Sequence, residues 1–247
     1  MVSTLFASAR ERLQWKNECD THQKAFCIIV STGISVSISG DGSMFAAGAN
    51  QYRADESLPG YVRVYHLVGD SWMQVGEDIV GEALEDEFGW LVSLSRSGSV
   101  LAVSAFAGRS FRGAAYVFEY SPAVGTWEPL GQVMQGKNTG DSFGLAMDFS
   151  GDGTTIAVGS WRKGATVDYP VYTRVFRLAE DRAVWNQLGS DIERVDPQIG
   201  GISISYGLSL ALNDDGSALA MGSMHEELDD AGGNSGAVSV FRFTPAE

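Results

Sequence analysis

The sequence predicts an all-β protein built from four copies of one antiparallel sheet unit. Three observations carry that expectation. A glycine-ended turn recurs at Gly42, Gly98, Gly153 and Gly216, roughly 55 to 63 residues apart. Each turn is flanked by two short strand patterns, one alternating large and small residues and one with alanine in second place. A tryptophan with a glycine four residues later (Trp72/Gly76, Trp127/Gly131, Trp185/Gly189) follows in three of the units. Periods of about 40 to 50 residues with four strands per unit mark propeller blades, and these units are slightly longer.

The first strand of each unit reads Ile34–Ile38, Leu91–Leu94, Leu145–Phe149 and Leu208–Leu212. Its period-two alternation is that of a strand. The small partners Ser35, Ser37, Ser93, Asp148 and Ala211 suit a strand near a crowded axis. The turn that follows ends in glycine because the last turn position needs a positive φ that a Cβ would strain. The second strand carries Ala46, Ala102, Ala157 and Ala220 at one register position, which predicts close sheet-to-sheet packing there. Third strands are expected at Val62–Tyr65, Ala115–Phe118, Thr173–Phe176 and Val238–Phe241. Fourth strands begin at the three tryptophans, whose large rings would seal one blade against the next. The repeats occupy residues 32–247, as units 32–87, 88–142, 143–205 and 206–247.

The last unit stops at Glu247 without a tryptophan strand. Residues 1–31 form an atypical segment, either a short amphipathic helix or an outer strand starting at Trp15. That residue precedes Gly33 by about the interval that separates Trp72 from Gly89. Pairing of this segment with the last unit would close a ring of about four four-stranded blades and hide a sheet edge. The alternative is part of a larger ring with open edges, through which copies could self-associate.

The formal charge of −14 disfavours nucleic acid and anionic membrane surfaces, because the field repels phosphate. No apolar run is long enough to cross a bilayer, so membrane insertion is not expected. The first residues lack the apolar stretch of a secretory signal, so the chain reads as soluble, with an extracellular or surface location if it is incomplete at its start. Cys19 and Cys27 imply no disulfide framework.

The Phe88-Gly89 and Phe143-Gly144 openings, the Tyr206-Gly207 variant and the Ala-Val-Gly ending at Gly159 resemble FG-GAP repeats, with a Ser-x-Asp-Gly turn like that of other bacterial and algal propeller repeats. The resemblance covers residues 32–247. It implies a propeller of the type found in integrin α subunits, and calcium-binding loops between the first two strands. Only unit three approaches that loop, with Asp148 and Asp152, and an apolar Ile156 stands where a further ligand belongs. Calcium takes six to eight oxygens, so plain hairpin turns and no cofactor are the expectation.

No nucleophile elbow or zinc-binding helix motif is present. Gly131–Asn138 only imitates a phosphate loop, lacking the Ser or Thr that would hold magnesium. Two acidic clusters remain, at Glu82–Glu87 and at Glu226, Glu227, Asp229 and Asp230, both expected to be solvated loop charge. Together with Trp161 and Tyr52, the second cluster defines candidate binding loops, and Phe106 and Phe111 are further aromatics between second and third strands. The expected function is a non-catalytic module presenting variable loops to a protein or glycan. The alternatives are a carbohydrate-active hydrolase working at the central opening and a purely structural segment.

Overall fold

The structure, a computed structural model, describes residues 33–50, 59–84, 86–107, 111–162, 170–194, 206–226 and 235–244. It is a β-propeller of four antiparallel blades. Blade 1 comprises β1 (Gly33–Ile38), β2 (Met44–Ala49), β3 (Tyr61–Val68), β4 (Ser71–Gln74) and β5 (Ile79–Val80). Blade 2 holds β6 (Val92–Leu94), β7 (Val100–Ala105), β8 (Ala114–Ser121), β9 (Thr126–Pro129) and β10 (Met134–Gln135). Blade 3 holds β11 (Ala146–Phe149), β12 (Thr155–Gly159), β13 (Val171–Leu178), β14 (Trp185–Gln187) and β15 (Ile192–Arg194). Blade 4 holds β16 (Tyr206–Leu212), β17 (Ala218–Glu226) and β18 (Ser235–Arg242).

Strands follow chain order within each sheet, and the outer strand of blades 1 to 3 comes in two pieces that both pair with the third strand. The break falls at the glycine after each tryptophan, and Gly76, Gly131 and Gly189 all have positive φ. Blade 4 has three strands among the described residues. The proposed N-terminal outer strand at Trp15, like Cys19 and Cys27, lies outside the described residues.

Register gives every blade two chemically different faces. On one, blade 1 puts Ser35, Ser37, Ala46, Gly48, Val62 and Val64, all small or β-branched. On the other, blade 2 puts Val92, Leu94, Leu101, Val103, Phe118 and Trp127. The small face of blade 1 packs on the large face of blade 2 to form one apolar core. Ala102, Ala115 and Val117 of blade 2 meet Phe149, Ile156, Val158, Phe176 and Trp185 of blade 3 in the next. Ala157 and Val175 of blade 3 meet Leu210, Leu212, Leu219 and Met221 of blade 4 in the third. Small against large lets the sheets approach without voids, which is why alanine holds its place through the repeats.

The seryl groups of the first strand also bond across the gap to the next blade. Ser35 and Ser37 turn toward blade 2, where their hydroxyls accept the backbone N–H groups of Val92 and Leu94 at 3.0 and 2.9 Å. Asp148 does the same across the next gap but one, accepting the N–H of Leu212 at 2.6 Å. An inner edge strand has outward N–H groups that need an acceptor, and the preceding blade supplies it.

Trp127 and Trp185 seat on the preceding blade. Trp127 donates its indole N–H to the Val75 carbonyl at 3.0 Å, and Trp185 to that of Leu130 at 2.8 Å. The hairpin turns at the opposite rim are joined by backbone bonds of 2.8 Å, Gly40 N–H to Arg96 O, Arg96 N–H to Gly151 O and Asp152 N–H to Asp214 O. The ends of the stack are open. Ile34, Val36 and Ile38 of blade 1 are exposed, Val36 by 70%, and so are Val238 and Val240 of blade 4, the latter by 66%.

Candidate functional site

The rim opposite the hairpin turns is formed by loops that leave the second strands and loops that enter the first strands. Asp86–Gly89 and Asp141–Gly144 enter blades 2 and 3 in one shared conformation. Glu87 and Ser142 both have left-handed φ, at 51° and 44°, and Gly89 and Gly144 follow at 87° and 100°. Residues other than glycine store strain in that region, and the surrounding packing must hold them there. Here it does so through Phe88 and Phe143, both buried. Phe88 packs edge-on to Tyr116, and Phe143 stacks on Tyr172.

Asp86 and Glu87 are buried, so half of the first acidic cluster is not solvated charge, while Glu82 is exposed. The expectation fails because the Phe-Gly turn pulls its two preceding residues inward with the aromatic ring. Glu87 accepts the Asn50 side-chain amide at 3.2 Å. Burial pushes its carboxyl up from the usual range. Asp141 corresponds to Asp86 one blade on, and both of its carboxylate oxygens are engaged. It accepts the Tyr172 hydroxyl and the Asn138 N–H at 2.7 Å and the Arg162 guanidinium at 2.9 Å. Burial raises the Tyr172 phenol, whose oxygen also accepts the Lys137 N–H at 2.8 Å. Lys137, the lysine of the false phosphate loop, pairs with Asp191 and Glu193.

Counted from Ala46, Ala102 and Ala157, the second strands of blades 1, 2 and 3 deliver Asn50, Phe106 and Trp161 to the same repeat position. It lies one residue past the last rung in blades 1 and 2 and two past it in blade 3, where the Ser160 N–H still bonds the Tyr172 carbonyl. Beside Phe106 lies Trp90, its ring 4.6 Å away and its indole N–H on the Leu145 carbonyl at 3.4 Å. Phe106, Trp90 and Trp161 are all half-buried. Trp161 is fixed through its backbone N–H on the Asp141 carbonyl at 2.9 Å. The rim thus offers three half-buried aromatic rings, Trp90, Phe106 and Trp161, while Asn50 at the corresponding position of blade 1 is buried and bonded to the buried Glu87. Sequence reading found Trp161 and Phe106 but not the burial of Asn50 at the same repeat position, which only the fold discloses.

The other predicted positions are dispersed. Asp148 is an inter-blade pin, and burial raises its carboxyl. Asp152 sits in the hairpin turn, where it accepts the Ser150 hydroxyl at 2.6 Å and the Thr154 N–H at 2.9 Å. The two carboxylates serve different groups, and among the described residues no three His, Cys, Asp or Glu side chains come together to hold a metal. The calcium chemistry implied by the resemblance does not fit these residues. Glu226 ends β17, opposite Ser235. Tyr52, Glu227, Asp229 and Asp230 lie outside the described residues. No helix among the described residues is long and apolar enough to cross a membrane.

No family model matches the chain. No curated protein matches it in sequence. Among solved structures it is similar to Sqt1 from Chaetomium thermophilum, with a TM-score of 0.49 and 18% identity over 85% of this chain and 44% of that one. TolB from Acinetobacter baumannii gives 0.44 and 16% over 86% and 41%. PpgL, the periplasmic gluconolactonase of Pseudomonas aeruginosa, gives 0.39 and 15% over 76% and 64%. The chain spans less than two thirds of the length of these structures.

Proposed function

We propose that this chain is a non-catalytic binding module of FG-GAP-like type whose rim takes a glycan. The observation that carries the reading is the pair of half-buried rings Phe106 and Trp161 at one repeat position, with Trp90 beside Phe106. Half-exposed rings stack on the C–H face of a sugar. Asp141 is consumed by structural bonds and is not poised for acid–base work. The shared backbone of the two Phe-Gly turns supports the repeat family. The test is calorimetric titration against a panel of neutral and acidic oligosaccharides. Binding lost in Trp161→Ala and Phe106→Ala, with each variant still folded, supports the reading. A protein ligand captured by the same rim with no oligosaccharide bound would replace the glycan by a polypeptide, and binding indifferent to Trp161 and Phe106 would sink the site.

One observation favours a hydrolase. Glu87 is a buried rim carboxyl that burial pushes toward its protonated form, the state a general acid needs. Turnover of a chromogenic glycoside by the wild type, abolished in Glu87→Gln, would select that reading. Absence of turnover leaves binding.

A further inference from the structure

The two open ends of the stack are the two halves of one blade interface. Blade 1 presents a large apolar face on which Ile34, Val36 and Ile38 of β1 are exposed, with the more buried Phe45–Tyr65–Trp72 cluster beside them. Blade 4 presents an uncovered small face, with Ser209, Ala211, Ala220, Gly222, Val238 and Val240 in register. These are the residue types that meet at every internal junction, in the same strand positions. The second strand of blade 4 carries alanine where Ala46, Ala102 and Ala157 are fully buried. Ser209 occupies the position of Ser35, which receives an inner-strand N–H of the following blade.

A related feature lies one junction earlier, between blades 3 and 4. Trp127 and Trp185 each cover the glycine of the preceding blade, and a side chain at Gly76 or Gly131 would run into the indole. The third such seat, at Leu188 and Gly189 of blade 3, is open around Gly189. Leu188 instead lines a mainly apolar cleft of about 180 Å³, with Val175, Ile192, Leu212 and Phe241. A tryptophan strand belonging to blade 4 would fill it. In sequence, the strand pattern that precedes blade 1 as Trp72 precedes blade 2 is the one beginning at Trp15.

We propose that blade 4 of one copy receives blade 1 of a second copy, head to tail, as a continuation of the internal stack. The inference is independent of what the rim binds. The contact is made through sheet faces and not strand edges. Such a contact is heterologous, joining different surfaces of two identical chains, so it either closes into a ring or continues as a string. Uncovered apolar sheet faces of this kind are interaction surfaces in soluble proteins.

The interface has a directional test. Val36→Asp blocks the large face and leaves the small one, and Val240→Asp does the reverse. Both sites are exposed in the single chain, so neither substitution removes core packing. Sedimentation of the full chain at high micromolar concentration should show the wild type as two or more copies and each variant as a monomer. An equimolar mixture of the two variants should restore a dimer, because one good face of each kind remains. An unfolded variant could not produce that rescue. A monomeric wild type would overturn the proposal, as would a monomeric mixture. A dimer formed by either variant alone would also overturn it, since like faces would then be meeting.

Discussion

Removing the Trp185 ring tests how the blades are sealed. Its side chain is 2% exposed, lies between Leu130 of blade 2 and Phe149 of blade 3, and bonds the Leu130 carbonyl. A buried indole withdraws on the order of 200 Å² from water, worth about 5 kcal/mol at roughly 25 cal/mol per Å². Alanine keeps a small part of that, the cavity collapses incompletely, and the Leu130 carbonyl loses its donor. Trp185→Ala should therefore cost about 4 kcal/mol. Trp185→Phe keeps most of the apolar area and loses the N–H, for about 1–2 kcal/mol. Trp72 provides the internal comparison. It packs edge-on to Phe45 at 4.7 Å on the uncovered face of blade 1. Trp72→Ala should cost less than about 2 kcal/mol, because less surrounding structure is left around the cavity. The assay is equilibrium denaturation in urea at a concentration where the chain is monomeric, followed by far-ultraviolet circular dichroism. Equal costs for Trp185→Ala and Trp72→Ala would refute the argument that the ring acts by wedging two blades.

Other perturbations probe the faces and the rim. Gly48→Ala should destabilise by about 2–3 kcal/mol in the same assay, since the new methyl group would run into the Gly89 carbonyl of the next blade, which is backbone and cannot swing away. Glu87 has a folded-state pKa raised by burial, so the folded chain holds its proton more tightly than the unfolded chain. Its contribution opposes folding as pH rises above the ordinary glutamate range. Glu87→Gln should thus raise the melting temperature at neutral pH and lose that advantage in acid, a difference read from thermal melts across the pH range. Asp41 has the opposite sign. The Ser39 hydroxyl first, then the Ser43 N–H and hydroxyl, hold it down to about 2. Asp41→Asn should be destabilising at neutral pH and converge on the wild type as pH falls toward 2, in the same melts.

The blade count, the strand order and the sealing role of the tryptophans were legible in the sequence because each depends on a local signal repeated in register. The alternating runs, the turn glycines and the Trp/Gly pairs need no knowledge of distant residues. The broken outer strand was less legible, since β5, β10 and β15 have only two or three residues each. The bonding role of Ser35, Ser37 and Asp148 was not legible. Their partners, Val92, Leu94 and Leu212, lie more than 50 residues away, and only the packed blades bring them together. The site was legible by residue type and not by arrangement. Trp161 and Phe106 stand out as loop aromatics, but the burial of Asn50 at their repeat position, bonded to Glu87, follows from the fold. The burial of Asp86 and Glu87 follows from a positive-φ turn that no composition rule anticipates. The candidate ligands Asp148 and Asp152 were separated because one lies on a strand and the other in a turn, with different donors.

The claim on which the rest depends is that each blade's small face supplies acceptors and apolar contact to the inner strand of the next. Residue-resolved hydrogen exchange on the wild type and on Ser37→Ala measures this most directly. The account predicts that the Leu94 amide, protected in the wild type by the Ser37 hydroxyl at 2.9 Å, exchanges markedly faster in the variant while amides inside the β7–β8 ladder are unchanged. Leu94 exchange that does not respond to the loss of that hydroxyl would contradict it.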